Sequence, residues 1–448
     1  MIQLIFKNFI QSKGTKIGLV FLLIVGLVSI VIGRQFQYKQ AQNTTEATLY
    51  QKEHLERNAQ YNKDDLGLML YYVKFSLVNN SLPINSLAIG QRDVNPSIQS
   101  VTIRALEGQK YDSELNNPSQ LLLGNIDFSF VLIYLFPLLI IAFTFNLVSE
   151  EKESGTWKLV ATQTDNTFLY ILKIFFVRIL TFIGLLTLLL FIAAIVLKIP
   201  FDTTFYTFYI LSFLYLIFWF AVCFYVVSLQ KNSNFNALIL LTSWLILMIV
   251  LPTAINAYIV AKYPIPEALA LTLKQRKSYH EKWDTNKEAT VEKFYKHYPQ
   301  FRKYPLPDKE FSWLWYYAMQ QMGDDESAVE ATKLQRKLEQ RNATSQFIAQ
   351  FIPSLHTQIQ LNAIAKSDLN NQLLFWNETQ KFHEKLRLYF YPKIFENAPV
   401  LDEKWGNFKV ERFEDTSKIN YINALLPLLV FILGLIVLGV TNYKRNTL

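Results

Sequence analysis

The chain has 448 residues, of which 51% are hydrophobic and only 18% charged, and its mean hydropathy is +0.16. That balance is too apolar for an ordinary water-soluble protein of this length. The single cysteine, Cys223, excludes an intramolecular disulfide and a cysteine-based metal site. The net charge of +8 is spread along the chain without any nucleic-acid-binding motif, which argues against nucleic acid as a partner.

The opening stretch, "MIQLIFKNFIQSKGTK" (residues 1–16), places Ile2, Ile5, Phe6, Phe9 and Ile10 on one helical face, with Lys7 and Gln11 off it. This predicts a helix lying in the cytoplasmic interface of a membrane; the plainer alternative is a simple lead-in to the first span. That span, "IGLVFLLIVGLVSIVIG" at 17–33, is short for a crossing, which takes about 20 apolar residues, but it carries no charge. No small-residue cleavage site follows it, only "RQFQYKQAQ", so it reads as a retained helix and not as a signal peptide. Residues 34–127 are expected to begin as a continuation of this helix and to end in alternating runs such as "SIQSVTIRAL", which read as strands.

Four more apolar runs follow, at 128–148, 170–197, 205–229 and 235–260. A second long polar segment covers 261–420, and a sixth span at 421–441 leads to a short tail, 442–448. Within the second segment, "DDESAVEATKLQRKLEQRNATSQFIAQFIP" predicts a long helix closed by Pro353. "SDLNNQLLFWNETQKFHEKLRLYFYP" predicts another, with Asp368 as N-cap, a stripe of Leu369, Leu373, Trp376, Leu386 and Phe390, and Pro392 as its stop. Each long segment has an apolar stripe to cover, so the two are expected to pack together. The expected fold is an α-helical polytopic membrane protein: six transmembrane helices plus a mostly helical extracytoplasmic domain with some strand.

Lysine and arginine set the orientation. Lys7, Lys13 and Lys16 precede the first span, Lys152 and Lys158 lie between the second and third, Lys231 between the fourth and fifth, and Lys444 and Arg445 after the sixth. All fall on one side if both termini are cytoplasmic. Lys173 and Arg178, near the start of the third span, are then within reach of the cytoplasmic surface by snorkelling. The 35 Phe and 24 Tyr suit lipid contact and interfacial belts.

Between the second and third spans lies "SEEKESGTWKLV", from Ser149 to Val160. Its carboxylates cannot sit unpaired in hydrocarbon, so the stretch belongs to water at a membrane surface. Carboxylates near a helix start are favoured by its dipole and can pair with a partner's Arg or Lys, and Gly155 permits a turn that a side chain would strain. A solvated loop that docks nothing is the simpler alternative.

An apolar helix, a Ser-Glu-rich turn with Glu-x-Gly-Thr, a short helix and another span together resemble the membrane subunit of an ABC-2 type ABC transporter. The match falls on Glu151, Glu153, Gly155 and Thr156, with Ser154 inserted between acid and glycine and no proline later in the loop. "LPINSLAIGQRDVNPSIQ", "NPSQLLLGNIDFSFV" and "FIPSLHTQIQLNAIAKSDLNNQLLFWNETQKFHEKLRLYFYPKIF" resemble a bacterial branch of these permeases. That branch carries large extracytoplasmic insertions after the first and before the last transmembrane helix.

The resemblance implies that segment 149–169 is a coupling segment docking on a cytosolic ABC ATPase. Glu150, Glu151, Glu153, Gly155, Thr156, Trp157 and Lys158 would form the contact, with the helix near Trp157–Thr162 in the ATPase groove. It implies a second permease copy, as homo- or heterodimer, in the lipid bilayer of a bacterial cytoplasmic membrane. The chain itself has no phosphate-binding Gly-x-x-x-x-Gly-Lys-Ser/Thr stretch, so no enzyme activity and no directly bound cofactor is expected; ATP and Mg would belong to the partner ATPase. The five histidines, His54, His280, His297, His356 and His383, read as helix-surface residues and not as a metal set.

Three functions remain open at this point. The first is an ATP-driven exporter of a lipid-like or amphipathic substrate, since the spans lack central charges. The second is a mechanical transmitter that uses ATPase cycling to act on an extracytoplasmic protein partner. The third is a membrane anchor or sensor without transport.

Overall fold

The computed structural model of the chain describes residues 2–110, 125–164, 166–266, 283 and 286–447. Helix α1 (Ile2–Gln11) buries none of its residues. Ser12 ends it and caps the next helix, its Oγ accepting from the Thr15 N–H at 3.1 Å. Phe9 on α1 stands edge-on to Phe143 and lies 5.2 Å below the guanidinium of Arg178. Arg178 therefore does not snorkel freely into water as expected: α1 covers it, and its Nε and Nη1 are buried without a hydrogen-bond partner.

Helix α2 (Lys13–Tyr61) runs unbroken for 49 residues, far beyond the span expected at 17–33. At ~1.5 Å per residue it is about 73 Å long, more than twice the hydrocarbon thickness. Nothing after Gly33 breaks a helix: the sequence to Tyr61 contains no proline or glycine. Leu22 and Ile30 belong to the membrane core, whereas Leu55 and Ala59 belong to a second core outside it, so one helix joins both. Gly33 lets it pass a neighbouring turn, Pro83–Leu87; a Cβ at this position would lie 2.3 Å from the Ser86 carbonyl oxygen.

Beyond α2 come α3 (Leu66–Tyr72), strand β1 (Phe75–Asn79) and strand β2 (Ile98–Val101). The remaining membrane-length helices are α4 (Phe128–Glu153), α6 (Thr167–Leu197), α7 (Thr203–Ser228) and α8 (Ser233–Lys262), with the short α5 (Trp157–Gln163) between the first two. Then follow α9 (Lys287–His297), α10 (Trp313–Ala349), α11 (Pro353–Ile364), α12 (Leu369–Phe395), strand β3 (Glu411–Phe413) and the last span, α13 (Tyr421–Thr447). Six helices are long and apolar enough to cross a membrane, as the sequence predicts. α6, α7 and α8 start slightly earlier than their apolar runs because polar caps precede them: Asn166, Asp202 and Asn232 each accept from a first-turn N–H. The expected tail at 442–448 continues α13 through Thr447.

Helix α7 is the hub of the bundle, with Trp219, Tyr215, Phe208 and Cys223 fully buried. Two neighbours of α7 carry π turns, Val131–Leu135 in α4 and Ile246–Val250 in α8. Pro137 and Pro252 follow them, and each removes a helical N–H. A carbonyl without a donor at membrane depth costs several kcal/mol, so another helix supplies one. Tyr215 OH donates to Ile133 O at 3.0 Å, Trp244 Nε1 to Tyr134 O at 3.2 Å, and Ser354 Oγ to Leu247 O at 2.7 Å.

The last of those donors sits on α11, where expectation and structure part. Pro353 does not close the preceding helix, which already ends at Ala349; it opens α11 at the first helical position, where its missing N–H costs nothing. Helix α10 also begins earlier than expected, at Trp313, because Ser312 caps it. α11 wedges into the end of the bundle, its Leu361 and Ile364 joining the membrane core and His356 donating Nε2–H to Ala424 O at 3.0 Å.

The extramembrane domain forms from both long segments, as their stripes predict. β1 pairs antiparallel with β2, Phe75 opposite Val101, and parallel with β3, Leu77 opposite Glu411. Against this sheet lies an aromatic core that includes Phe294, Tyr317, Phe390 and Tyr391. On α12, Leu373, Leu386 and Phe390 are buried, while Leu369 and Trp376 are only half-buried. Pro392 does not stop α12. The chain passes through it and turns at Asn397, whose φ of 51° is left-handed, with Ala398 N–H donating to Lys393 O at 2.9 Å. Two of the histidines are not surface residues: His356 and His383 are buried, His383 Nε2 donating to Arg104 O at 2.8 Å. His280 lies outside the described residues.

Candidate functional site

The loop between α4 and α6 lies at the end of the bundle away from the extramembrane domain, because α4 begins beside that domain and runs the length of the membrane. Its first part is the last helical turn of α4, Ser149–Glu153. Gly155 then takes φ +77° with open space around it, so the turn needs a left-handed residue and not a small one. Past that glycine the chain forms α5, Trp157–Gln163, of which no residue is buried; Leu159 is 61% exposed. Trp157 is half-buried against the membrane core, so α5 is anchored at its first residue and projects from there.

The acidic residues divide into distinct roles. Glu150 is exposed and accepts from Asn146 Nδ2. Glu151 accepts from the Thr156 hydroxyl, which also reaches the Glu151 carbonyl at 3.2 Å, and Ser154 Oγ lies 2.8 Å from the same hydroxyl. These contacts pin the Gly155 turn from inside. Glu153 reaches across to the next loop on the same side. Its Oε1 accepts from the Ser233 N–H at 2.7 Å and its Oε2 from Ser233 Oγ at 2.9 Å, at the N-terminus of α8 where a negative charge is favourable. Ser233 Oγ also lies 2.8 Å from Ser149 Oγ. Lys152 Nζ donates to Gln230 Oε1 at 2.7 Å and lies 5.9 Å from the Trp157 ring centre. Lys158 is exposed.

The structure therefore gathers Glu150, Glu151, Glu153, Gly155, Thr156, Trp157 and Lys158 into one turn but leaves them unequal. Gly155 and Thr156 shape it, Glu150, Glu151 and Glu153 are committed to bonds within the chain, and the exposed surface is α5 with Lys158 and the outer face of Glu150. The sequence did not disclose Gln230, Ser233 and Asn236, which brace the turn from 80 residues away; Asn236 Nδ2 donates to Phe145 O at 3.0 Å. The only local signal was the Asn232 cap that starts α8.

A second polar cluster lies where the extramembrane domain meets the bundle. Arg92, buried there, donates Nε to Lys366 O at 2.9 Å and Nη2 to Asn79 Oδ1 at 2.8 Å. Asn79 Nδ2 donates to Asn371 Oδ1 at 2.9 Å, and Asn371 Nδ2 to Asp415 Oδ2 at 3.0 Å. Burial brings the Arg92 guanidinium down to about 10, opposed by the charges of Asp415 and Asp368. This knot ties the first segment, α12 and the strand leading to α13 at one point. Two of the stretches quoted above for their family resemblance, around Arg92 and around Asn371, meet in it.

Residues 269–414 match a family described as a domain of unknown function (DUF3526). The match covers the second extramembrane segment, including α9 to α12, and none of the loop around Gly155. No curated protein and no solved structure matches the chain.

Proposed function

We propose that the chain is the transmembrane permease subunit of an ABC-2 type ABC transporter. It would work as an exporter with a separate cytosolic ABC ATPase, which binds ATP and Mg and performs the hydrolysis, and with a second permease copy. In this reading the membrane is a bacterial cytoplasmic membrane, both termini and loop 149–169 face the cytoplasm, and the long segments face outward. One observation carries it: α5 projects from the bundle with no buried residue, while the turn beneath it is locked to α4 and α8. A helix held rigidly at its root and bare along its length is suited to take up force from a docked soluble partner.

A second reading has an observation of its own. Helix α2 runs as one piece from the membrane core into the extramembrane core, and α11 wedges the second segment among the spans. ATPase-driven motion would then reach an extracytoplasmic protein partner without substrate crossing the membrane.

Purification of the full chain from its native membrane tests the common element. A protein with a phosphate-binding loop should accompany it in about stoichiometric amount; a chain that comes away alone under several mild detergents would refute the partnership. Orientation is tested by cysteine labelling in intact cells. Val329, which is 57% exposed, serves as the outside probe. Val329→Cys should react with an impermeant maleimide and Lys444→Cys should not; the reverse pattern would invert the topology.

A further inference from the structure

Between α10 and α12 the extramembrane domain encloses a cavity of about 1140 Å³, bordered by the helical turn Glu107–Lys110 and by residues 412–417. That volume lies just above the roughly 300–1,000 Å³ of sites that take a small organic ligand, so a ligand would fill part of it. Charged side chains make up much of its wall, and several are matched with one another. Arg387 pairs with Asp324 at 2.8 Å, Lys381 with Glu378 at 3.1 Å, and Asp325 with His297 at 3.0 Å.

Glu107 is paired with Lys110 as well, but through one oxygen only. It is 7% exposed, and only Oε1 is engaged, by Lys110 Nζ at 3.2 Å. Oε2 is buried and has no hydrogen-bond partner. A buried carboxylate oxygen without a donor is costly, and the cost disappears when a ligand brings one. Burial pushes the Glu107 carboxyl up, and a cation beside it would oppose that shift. Among the described residues no three His, Cys, Asp or Glu side chains converge closely enough to hold a metal ion. An organic donor fits better, and Trp376 adds an aromatic surface to the wall, to which ammonium and guanidinium groups are attracted.

We propose that this cavity binds an organic cation, an ammonium or guanidinium group carried on a flexible chain, with Glu107 as its counter-ion. The same chemistry is offered by a free polyamine and by a Lys or Arg side chain of a polypeptide. The inference stands on the extramembrane domain alone, so it survives or fails independently of the ATPase partnership.

The test uses the full chain in phosphatidylcholine nanodiscs, which carry no net anionic lipid charge to compete. Calorimetry with spermidine, with N-acetyl-Lys-Gly-Lys-amide and with N-acetyl-Glu-Gly-Glu-amide should give binding for at least one of the two cations and none for the acidic peptide. Spermidine alone would mark a free amine as the ligand, and the peptide alone a polypeptide. Glu107→Gln, which keeps the shape and removes the charge, should weaken that binding about tenfold or more, the usual effect of losing one charged hydrogen bond. Lys381 is 74% exposed at the rim, so Lys381→Glu should fold normally and tighten cation binding. Absence of binding by both cations overturns the proposal, as does a Glu107→Gln chain that binds like the original. If Glu107→Gln does not fold, Lys381→Glu decides, and unchanged or weaker binding by it overturns the proposal.

Discussion

Replacing Arg387 by methionine is expected to melt the extramembrane domain while the six-helix bundle stays folded. Arg387 sits on α12, almost wholly buried, with Asp324 of α10 opposite at 2.8 Å. Its Nε donates to Ile103 O at 3.1 Å, its Nη2 to Arg104 O at 2.8 Å and its Nη1 to Gln321 Oε1. Asp324 in turn accepts from the backbone N–H of Leu106 at 2.8 Å and of Glu107 at 3.2 Å. One guanidinium therefore holds α10, α12 and the chain after β2 in register. Methionine would keep the packing of the stem but leave the part-buried Asp324 without its counter-charge and the Ile103 carbonyl without its donor, while Arg104 O keeps only His383. Breaking a buried pair on one side costs about 3–5 kcal/mol, a large share of the stability of a domain. The measurement is limited trypsin digestion of the purified chain together with a thermal melt. Cleavage should move into residues 313–395 at temperatures where the original resists, with the bundle fragments unchanged. A variant that resists trypsin like the original would show that the network contributes little. Arg387→Ala combined with Asp324→Ala should recover part of the loss, because removing both charges lifts the penalty that removing one creates.

The sequence shows clearly what depends on local pattern. Six apolar runs mark the six crossing helices, the short one at 17–33 lying within the far longer α2, and Asp368, placed before an apolar stripe, caps α12 through the Asn371 N–H at 3.1 Å. Alternation in "SIQSVTIRAL" marked β2. A proline in the sequence does not reveal its own effect, which depends on position: Pro353 at a first helical turn starts a helix, and Pro392 in a last turn only removes one donor, while the left-handed Asn397 ends the helix. The burial of His356 and His383 is set by elements distant in sequence, α13 and the chain after β2, and no local window contains them. The same holds at the loop around Gly155. A turn with a glycine and three acids is visible in twelve residues, but the partner of Glu153 is Ser233, on another span.

That last contact changes how the docking of α5 must be tested. Reversing both Glu151 and Glu153 to Lys would place like charges where a partner is expected to be basic, and it would also break bonds inside the chain. Glu153→Lys removes the acceptor of the Ser233 N–H and sets a positive charge against the N-terminus of α8, where the helix dipole is already positive. Glu151→Lys removes the acceptor of the Thr156 hydroxyl. Loss of function in the double variant would thus follow from a disordered turn as readily as from a lost interface. Leu159→Asp separates the two. Leu159 is 61% exposed on α5 and belongs to neither hydrophobic core, so the variant should insert, fold and melt like the original. A charge at the centre of an apolar docking ridge, once covered by a partner, is buried without a counter-ion and costs several kcal/mol of binding. Each 1.4 kcal/mol is about a tenfold change in affinity, so the ATPase should be lost on purification by a factor of about a hundred or more. Glu153→Gln is the matching control, since it keeps an acceptor for Ser233 and should retain the ATPase. Should Leu159→Asp carry its ATPase in full while Glu153→Lys does not, the contact would lie elsewhere and α5 would be only a solvated turn.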